Sequence, residues 1–271
     1  YIKLLHQIYF FYKNKISLEV IEILIVKLYF YINNFCIIYY NMVTLMDSIC
    51  NTIGIDRVDM HGRMVLIEEQ HGSDANFLVN ALISNALKKD YGICFVLFHN
   101  TFSHYHNVSM RSGHNLMTLK EKGKVTLVED SYNEVANQNK TVLIIIEDIS
   151  HLSDLGLTLK DSMYYVRYIR SLMESYPMTQ LCVTVHTYQN DVQSCTPNFI
   201  CNNLKYMADL VLIAEPLMTG HSNDASGKIT VCWNVDSVRS EYHWTEKMTY
   251  LYKLLGWHVK IFALGATTFV T

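Results

Sequence analysis

Hydrophobic positions along the chain gather into short unbroken runs, separated by stretches that repeat with helical spacing. The runs are Met64-Val65-Leu66-Ile67, Ile93 to Phe98, Val125 to Val128, Val142 to Ile146, Leu181 to Val185 and Leu210 to Ala214. From Asp74 onward, Phe77, Leu78, Ala81, Leu82 and Leu87 follow a helical face, and Lys88-Lys89 fall in its last turn, where they suit the helix dipole. Gly92 ends that helix. Thr101 or Ser103 can cap a second one ending near Gly113, Leu159 to Met173 is a third, and Phe199 to Met207 a fourth. Short all-apolar strands alternating with helices predict a doubly wound α/β core, with a mainly parallel twisted sheet and helices on both faces. After Pro216 the texture loosens. Ile229 to Val235, Thr249 to Leu255 and His258 to Ala263, separated by turn residues, predict an antiparallel C-terminal edge extension.

The first 45 residues read differently. Tyr1 to Leu45 contain no Gly, Ala, Pro, Asp or Arg, and Ile, Tyr, Phe, Lys, Asn and Leu dominate, residues that A/T-rich codons can supply. This composition is expected of a non-native or disordered extension, with the native start at Met42 or Met46 and the folded domain over 46–271. An ordinary packed extension is one rival, and a membrane anchor at Ile16 to Tyr31 is the other. The anchor falls short of the ~20 apolar residues a span needs, and Glu19, Glu22 and Lys27 interrupt it. No membrane partner is expected.

Composition narrows the class further. The chain has 271 residues, 50% hydrophobic and 17% charged, which excludes a disordered or fibrous protein. Setting aside the four lysines and two glutamates of the first 45 residues leaves 18 basic and 23 acidic residues, a net charge of −5. An anion must therefore meet a local patch, not a general field. Seven cysteines (36, 50, 94, 182, 195, 201 and 232) form no C-x-x-C. They read as reduced, mostly buried thiols of a cytoplasmic protein, with the nucleus as a second compartment.

In such a sheet the loop from the first strand into the first helix is the natural phosphate site. A phosphate loop reads G-x-x-x-x-G-K-S/T there, but this chain has Glu68-Glu69-Gln70-His71-Gly72-Ser73-Asp74-Ala75-Asn76. Gly72, Ser73, Asp74, Ala75 and Asn76 form a degenerate loop with one glycine and no lysine. The lysine and hydroxyl positions fall near Ala75 and Asn76, and Glu68, Glu69 and Asp74 oppose a triphosphate. The run ending at Asp148 resembles the strand whose acid holds magnesium in phosphate-loop ATPases, which makes Asp148 a vestigial acid; the simpler alternative is an acid that ends a strand and caps a turn. No cofactor is expected.

Other clusters carry less. His104 and His106 point about 200° apart on a helix, so they do not share a metal with each other, and no metal site is expected among His99, His104 and His106. Ser103 before His104 lacks a G-x-S-x-G elbow, so no catalytic residue is assigned. Arg111, Lys120, Lys122 and Lys124 form the densest basic segment and are candidate contacts to a nucleic-acid phosphate backbone, with a solvated surface as the alternative. Met163, Tyr164, Tyr165 and Tyr168 suit a core or a subunit interface. The polar loop from Tyr188 to Pro197 is too long for a simple turn and is a further candidate for contact with RNA or a partner, with a disordered surface loop as the alternative.

Several blocks resemble the Elongator complex subunit 6 family: Phe77-Leu78-Val79 after the degenerate loop, Cys94-Phe95-Val96, Phe102-Ser103-His104-Tyr105 with Gly113 and Leu116, Thr219-Gly220 before Gly227, Trp233, and Tyr252-Lys253 through Phe262-Ala263-Leu264-Gly265. The blocks span most of Met46 to Gly265 in the family's order. The resemblance implies a non-catalytic RecA-like subunit that forms a hetero-hexameric ring with subunits 4 and 5, binds tRNA through the ring, and joins the catalytic Elongator subcomplex in wobble-uridine modification. An active RecA- or KaiC-like ATPase and a monomeric α/β adaptor are the alternatives.

Overall fold

Strand β1 (Met64–Gln70) runs through the middle of the sheet and is buried until its last two residues. The computed structural model describes residues 49–127, 139–188, 196–218, 222, 224–255 and 258–263, all within one compact unit, Leu45–Thr271. The expected extension over 1–45 and both candidate start methionines lie outside the described residues. From β1 the chain enters α1 (Asn76–Lys88) and returns through β2 (Gly92–Leu97). It continues through α2 (Phe102–Arg111), α3 (Leu116–Glu121), β3 (Val125–Leu127) and β4 (Val142–Glu147). A short 3₁₀ turn (Ile149–Leu152), α4 (Leu159–Ser175), β5 (Thr179–Thr187), α5 (Thr196–Lys205) and β6 (Leu210–Glu215) follow. The last part is β7 (Gly227–Trp233), α6 (Asp236–Tyr242), β8 (Met248–Leu255) and β9 (His258–Ala263).

The strands form one sheet in the order β3-β2-β4-β5-β1-β6-β7-β8-β9. Strands β3 to β6 of that order pair in parallel, and β7, β8 and β9 add on antiparallel. This is the α/β architecture that the hydrophobic runs predict, with the antiparallel edge on the β6 side. One apolar cluster packs α1 and α2 against one face, and a second packs α4 and α5 against the other. Burial on both faces is why the parallel strands are continuous apolar runs, without alternation. Among the described residues, no helix is long and apolar enough to cross a membrane.

Two short helices depart from the sequence reading. The second helix ends just before Gly113, as expected, but a further helix follows at once: Asn115 starts α3 by accepting the Thr118 N–H at 3.0 Å. The strand expected to reach Val235 stops at Trp233, and α6 follows. Six- and seven-residue helices give too few periodic positions to register in a sequence pattern. Thr101 rather than Ser103 caps α2, its hydroxyl accepting the His104 N–H at 3.3 Å. The block Cys94-Phe95-Val96 and Phe102 to Tyr105 is a packing unit, with Phe95 against Phe102 and Tyr105 at 5.9 and 5.5 Å between ring centres.

The helical turn at 49–53 is tied to the edge strands, because the buried Trp233 indole donates to Ile53 O at 3.0 Å. Gly54 follows with φ +84°, and a Cβ there would lie 2.2 Å from the Trp244 ring. Gly54→Ala therefore combines left-handed strain with overpacking and should lower stability by roughly 2–4 kcal/mol, read as a lower urea midpoint. The buried thiols give a second measurement. Burial pushes Cys94 and Cys201 up to about 12 and raises Cys182 further. Since the thiolate is the reacting form, native-state alkylation at these three positions should stay slow at pH 8–9 and become fast in denaturant, as peptide mass mapping would show.

Candidate functional site

Period-two alternation sends neighbouring acids of β1 to opposite faces of the sheet. Glu68 turns toward α5, where Thr187 Oγ1 donates to it at 3.0 Å and Lys205 Nζ lies 2.7 Å away. It is therefore not one of the carboxylates around the phosphate loop, contrary to the reading of three acids there. A cavity of about 260 Å³ lies on that same side, lined by Glu68, Gln70, Thr187 and Asn198 among others. Glu69 points the other way, into the degenerate loop.

The loop is filled from within. Glu69 Oε2 accepts the Ala75 N–H at 3.1 Å, the kind of donor a phosphate would use. Asp74 Oδ1 takes the next amide, Asn76 N–H, at 2.9 Å, which leaves α1 starting from Ala75 with no side-chain cap of its own. Ser73 Oγ lies 2.7 Å from Gln70 O and 3.0 Å from Ala214 O, so its hydroxyl is committed to the loop's own carbonyls. Gly72 has φ +89°, the one position in the loop whose backbone demands glycine.

Parallel pairing sets His186 of β5 directly beside Glu69. Its Nε2 lies 3.0 Å from Glu69 Oε1 and its Nδ1 3.0 Å from Asp148 Oδ2. Asp148 and then Glu69 outweigh burial and push the imidazole up to about 10, so it is an imidazolium at neutral pH. Burial alone would raise the Asp148 carboxyl, but His186 and the Ser150 hydroxyl outweigh it and hold the group below the usual carboxylate range. Asp148 sits at φ +49° just past β4, its own amide donating to Thr184 Oγ1 at 2.7 Å. Its carboxylate faces His186, so it is more than an acid that ends a strand.

A second carboxylate fills a second loop. Glu147 accepts the amides of His99 at 2.9 Å and Asn100 at 3.2 Å, and the Asn100 side-chain amide at 2.7 Å. The C-terminal rim of the sheet thus supplies its own anions (Glu69, Glu147) and its own cation (His186). Two unit charges of like sign about 5 Å apart repel by about 3 kcal/mol at an effective dielectric of roughly 20. A single neutral hydrogen bond returns about 1 kcal/mol. A triphosphate arriving beside Glu69 and Asp74 finds the amides of Ala75 and Asn76 engaged and no lysine to offset that repulsion.

These contacts accompany a clear family relationship. The sequence profile of the family described as Elongation complex protein 6 matches residues 45–132 and 125–255. The chain belongs to that family. Similar curated proteins named Elongator complex protein 6 include one from Homo sapiens, 24% identical over 261 residues and covering 81% of this chain and 96% of that protein. The relative from Xenopus tropicalis is 25% identical over 260 residues, covering 80% and 96%. Among solved structures, a KaiC-like protein from the hyperthermophilic archaeon Pyrococcus horikoshii OT3 aligns with a TM-score of 0.50 at 13% identity, over 74% of this chain and 90% of that one. The fold is RecA-like, and in this family member its phosphate loop carries a glutamate in its mouth.

The other candidate residues are dispersed along one stretch. Arg111 ends α2 and is exposed, Lys120 lies in the last turn of α3, and Lys122 follows it, exposed. Lys124 is engaged with Asp90, 2.6 Å away. Of the four α4 positions, Met163 is buried and Tyr165 half-buried, whereas Tyr164 and Tyr168 are exposed. Residues 189–195 of the polar loop lie outside the described residues. Its base is pinned by Asn198, which accepts the Tyr188 N–H at 3.0 Å and donates to Tyr188 O at 2.9 Å. Sequence reasoning missed His186, His151 and the roles of Glu69 and Glu147. The alternation of Glu68 and Glu69 was readable in advance; the β1–β5 adjacency that brings His186 to Glu69 was not.

His186→Gln removes the cation between two carboxylates. Because the ring is 35% exposed, solvent screens part of the loss, and the expected destabilisation is about 1–3 kcal/mol, seen as a lower thermal midpoint.

Proposed function

We propose that the chain is a non-catalytic subunit of the Elongator complex. In this reading it assembles with subunits 4 and 5 into a hetero-hexameric RecA-like ring that binds tRNA and serves wobble-uridine modification, the route to 5-methoxycarbonylmethyl and related side chains. The ring joins the catalytic Elongator subcomplex in the cytoplasm, with the nucleus as a second compartment. The observation that carries this reading is the self-filled phosphate loop: Glu69 on the Ala75 amide, with His186 tied to Glu69 and Asp148. A RecA-like chain built this way keeps the architecture for packing beside homologous subunits while giving up nucleotide chemistry of its own.

Surface composition supports obligate association. Tyr164 and Tyr168 on α4, Phe199 on α5, and Tyr206 and Met218, the last two over 90% exposed, offer large apolar side chains to a neighbour. Affinity purification from cells followed by mass spectrometry should recover the two homologous ring subunits together with tRNA. Labelled ATP titrated against the chain in magnesium should give no saturable binding below about 1 mM. Recovery of the chain alone, or micromolar magnesium-dependent ATP binding, would replace this reading with the adaptor or the active ATPase.

A further inference from the structure

The segments that follow β2 and β4, far apart in sequence, bring three side chains together. His99, Asp148 and His151 each present a ligand atom, and these atoms lie within 4.8 Å of one another. The rings of His99 and His151 meet edge to face at 5.4 Å. This grouping is unlike the one considered from sequence, since His104 and His106 take no part in it.

We infer that His99, Asp148 and His151 form a binding site for a divalent transition-metal ion of the zinc class. Two imidazoles and one carboxylate are the donor set of open, three-ligand zinc sites, and imidazole favours zinc over magnesium or calcium. Bonds of about 2.1 Å place tetrahedral ligands about 3.4 Å apart, so closure asks for roughly 1 Å of side-chain adjustment. The exposed His99 ring can supply that movement, because its backbone is held separately by Glu147.

The surroundings match what such an ion needs. His151 Nδ1 lies 3.0 Å from Asp154 Oδ2, which fixes the tautomer and leaves Nε2 to bind, the outer carboxylate that zinc-bound histidines regularly carry. Asp148 is buried and oriented by Ser150 and by His186. Besides Asp148 within the cluster, Glu69, Glu147 and Asp154 stand near it, with His186 as the cation paired to Glu69 and Asp148. That imbalance favours a further positive charge. The ion would staple the loop after β2 to the loop after β4, a structural role that calls for no nucleotide.

The test uses the full chain, with whatever subunits accompany it, stripped by chelator and titrated with Zn²⁺ against a chromophoric competitor. One Zn²⁺ per chain should bind at micromolar or tighter affinity, and Co²⁺ should give the visible absorption of a four-coordinate site. His99→Ala and His151→Ala should each weaken binding at least tenfold, and Asp154→Asn about tenfold through its outer contact. His104→Ala should leave binding unchanged. Zinc should also raise the thermal midpoint of the wild type and not of the His99→Ala, His151→Ala double variant. Absence of zinc uptake by the folded wild type, or undiminished uptake by a double variant with native circular dichroism, would overturn the inference.

Discussion

The charge bridge Glu69–His186–Asp148 joins the ends of the three strands, β1, β5 and β4, on which the functional rim of this fold is built. Each acid in it has a further duty. Glu69 satisfies an amide of the degenerate loop, and Asp148 holds the turn after β4 through Ser150. A partly buried carboxylate without a counter-charge would be costly, so the imidazolium offsets the burial of both acids. Loop, strand ends and turn are thereby fixed as a unit.

This arrangement shows how the phosphate loop of a RecA-like architecture can be filled by its own side chains. In an active phosphate-loop protein the ligand supplies the anion that the loop amides need, and a metal ion supplies the cation that the strand-end acid needs. Here Glu69 takes the first part, and His186 meets both acids. Such a rim draws its anion and its cation from its own side chains, and large exposed aromatic residues lie on α4 and α5. Glu147, filling the loop at His99 and Asn100, extends the same solution to the next loop along the rim.

Much of the fold was legible because burial on both faces writes parallel strands as continuous apolar runs, and the six strands β1 to β6 follow that reading closely. The degenerate loop was legible too, since the missing lysine and second glycine are covalent facts. The short helices Leu116–Glu121 and Asp236–Tyr242 were not, because they contain fewer than two full periods. Of the basic segment, the positions were plain, but the engagement of Lys124 with Asp90 depends on the end of α1 lying beside the start of β3.

The amino-acid order by itself determined the α/β class, the family and the degenerate phosphate loop, because these rest on periodicity, on local motifs and on which side chains are present at all. Tertiary structure alone decided which side chains fill that loop. His186 lies 117 positions from Glu69, and His151 lies 52 from His99. Strand order brings each pair into contact, and local patterning says nothing about which strands become neighbours.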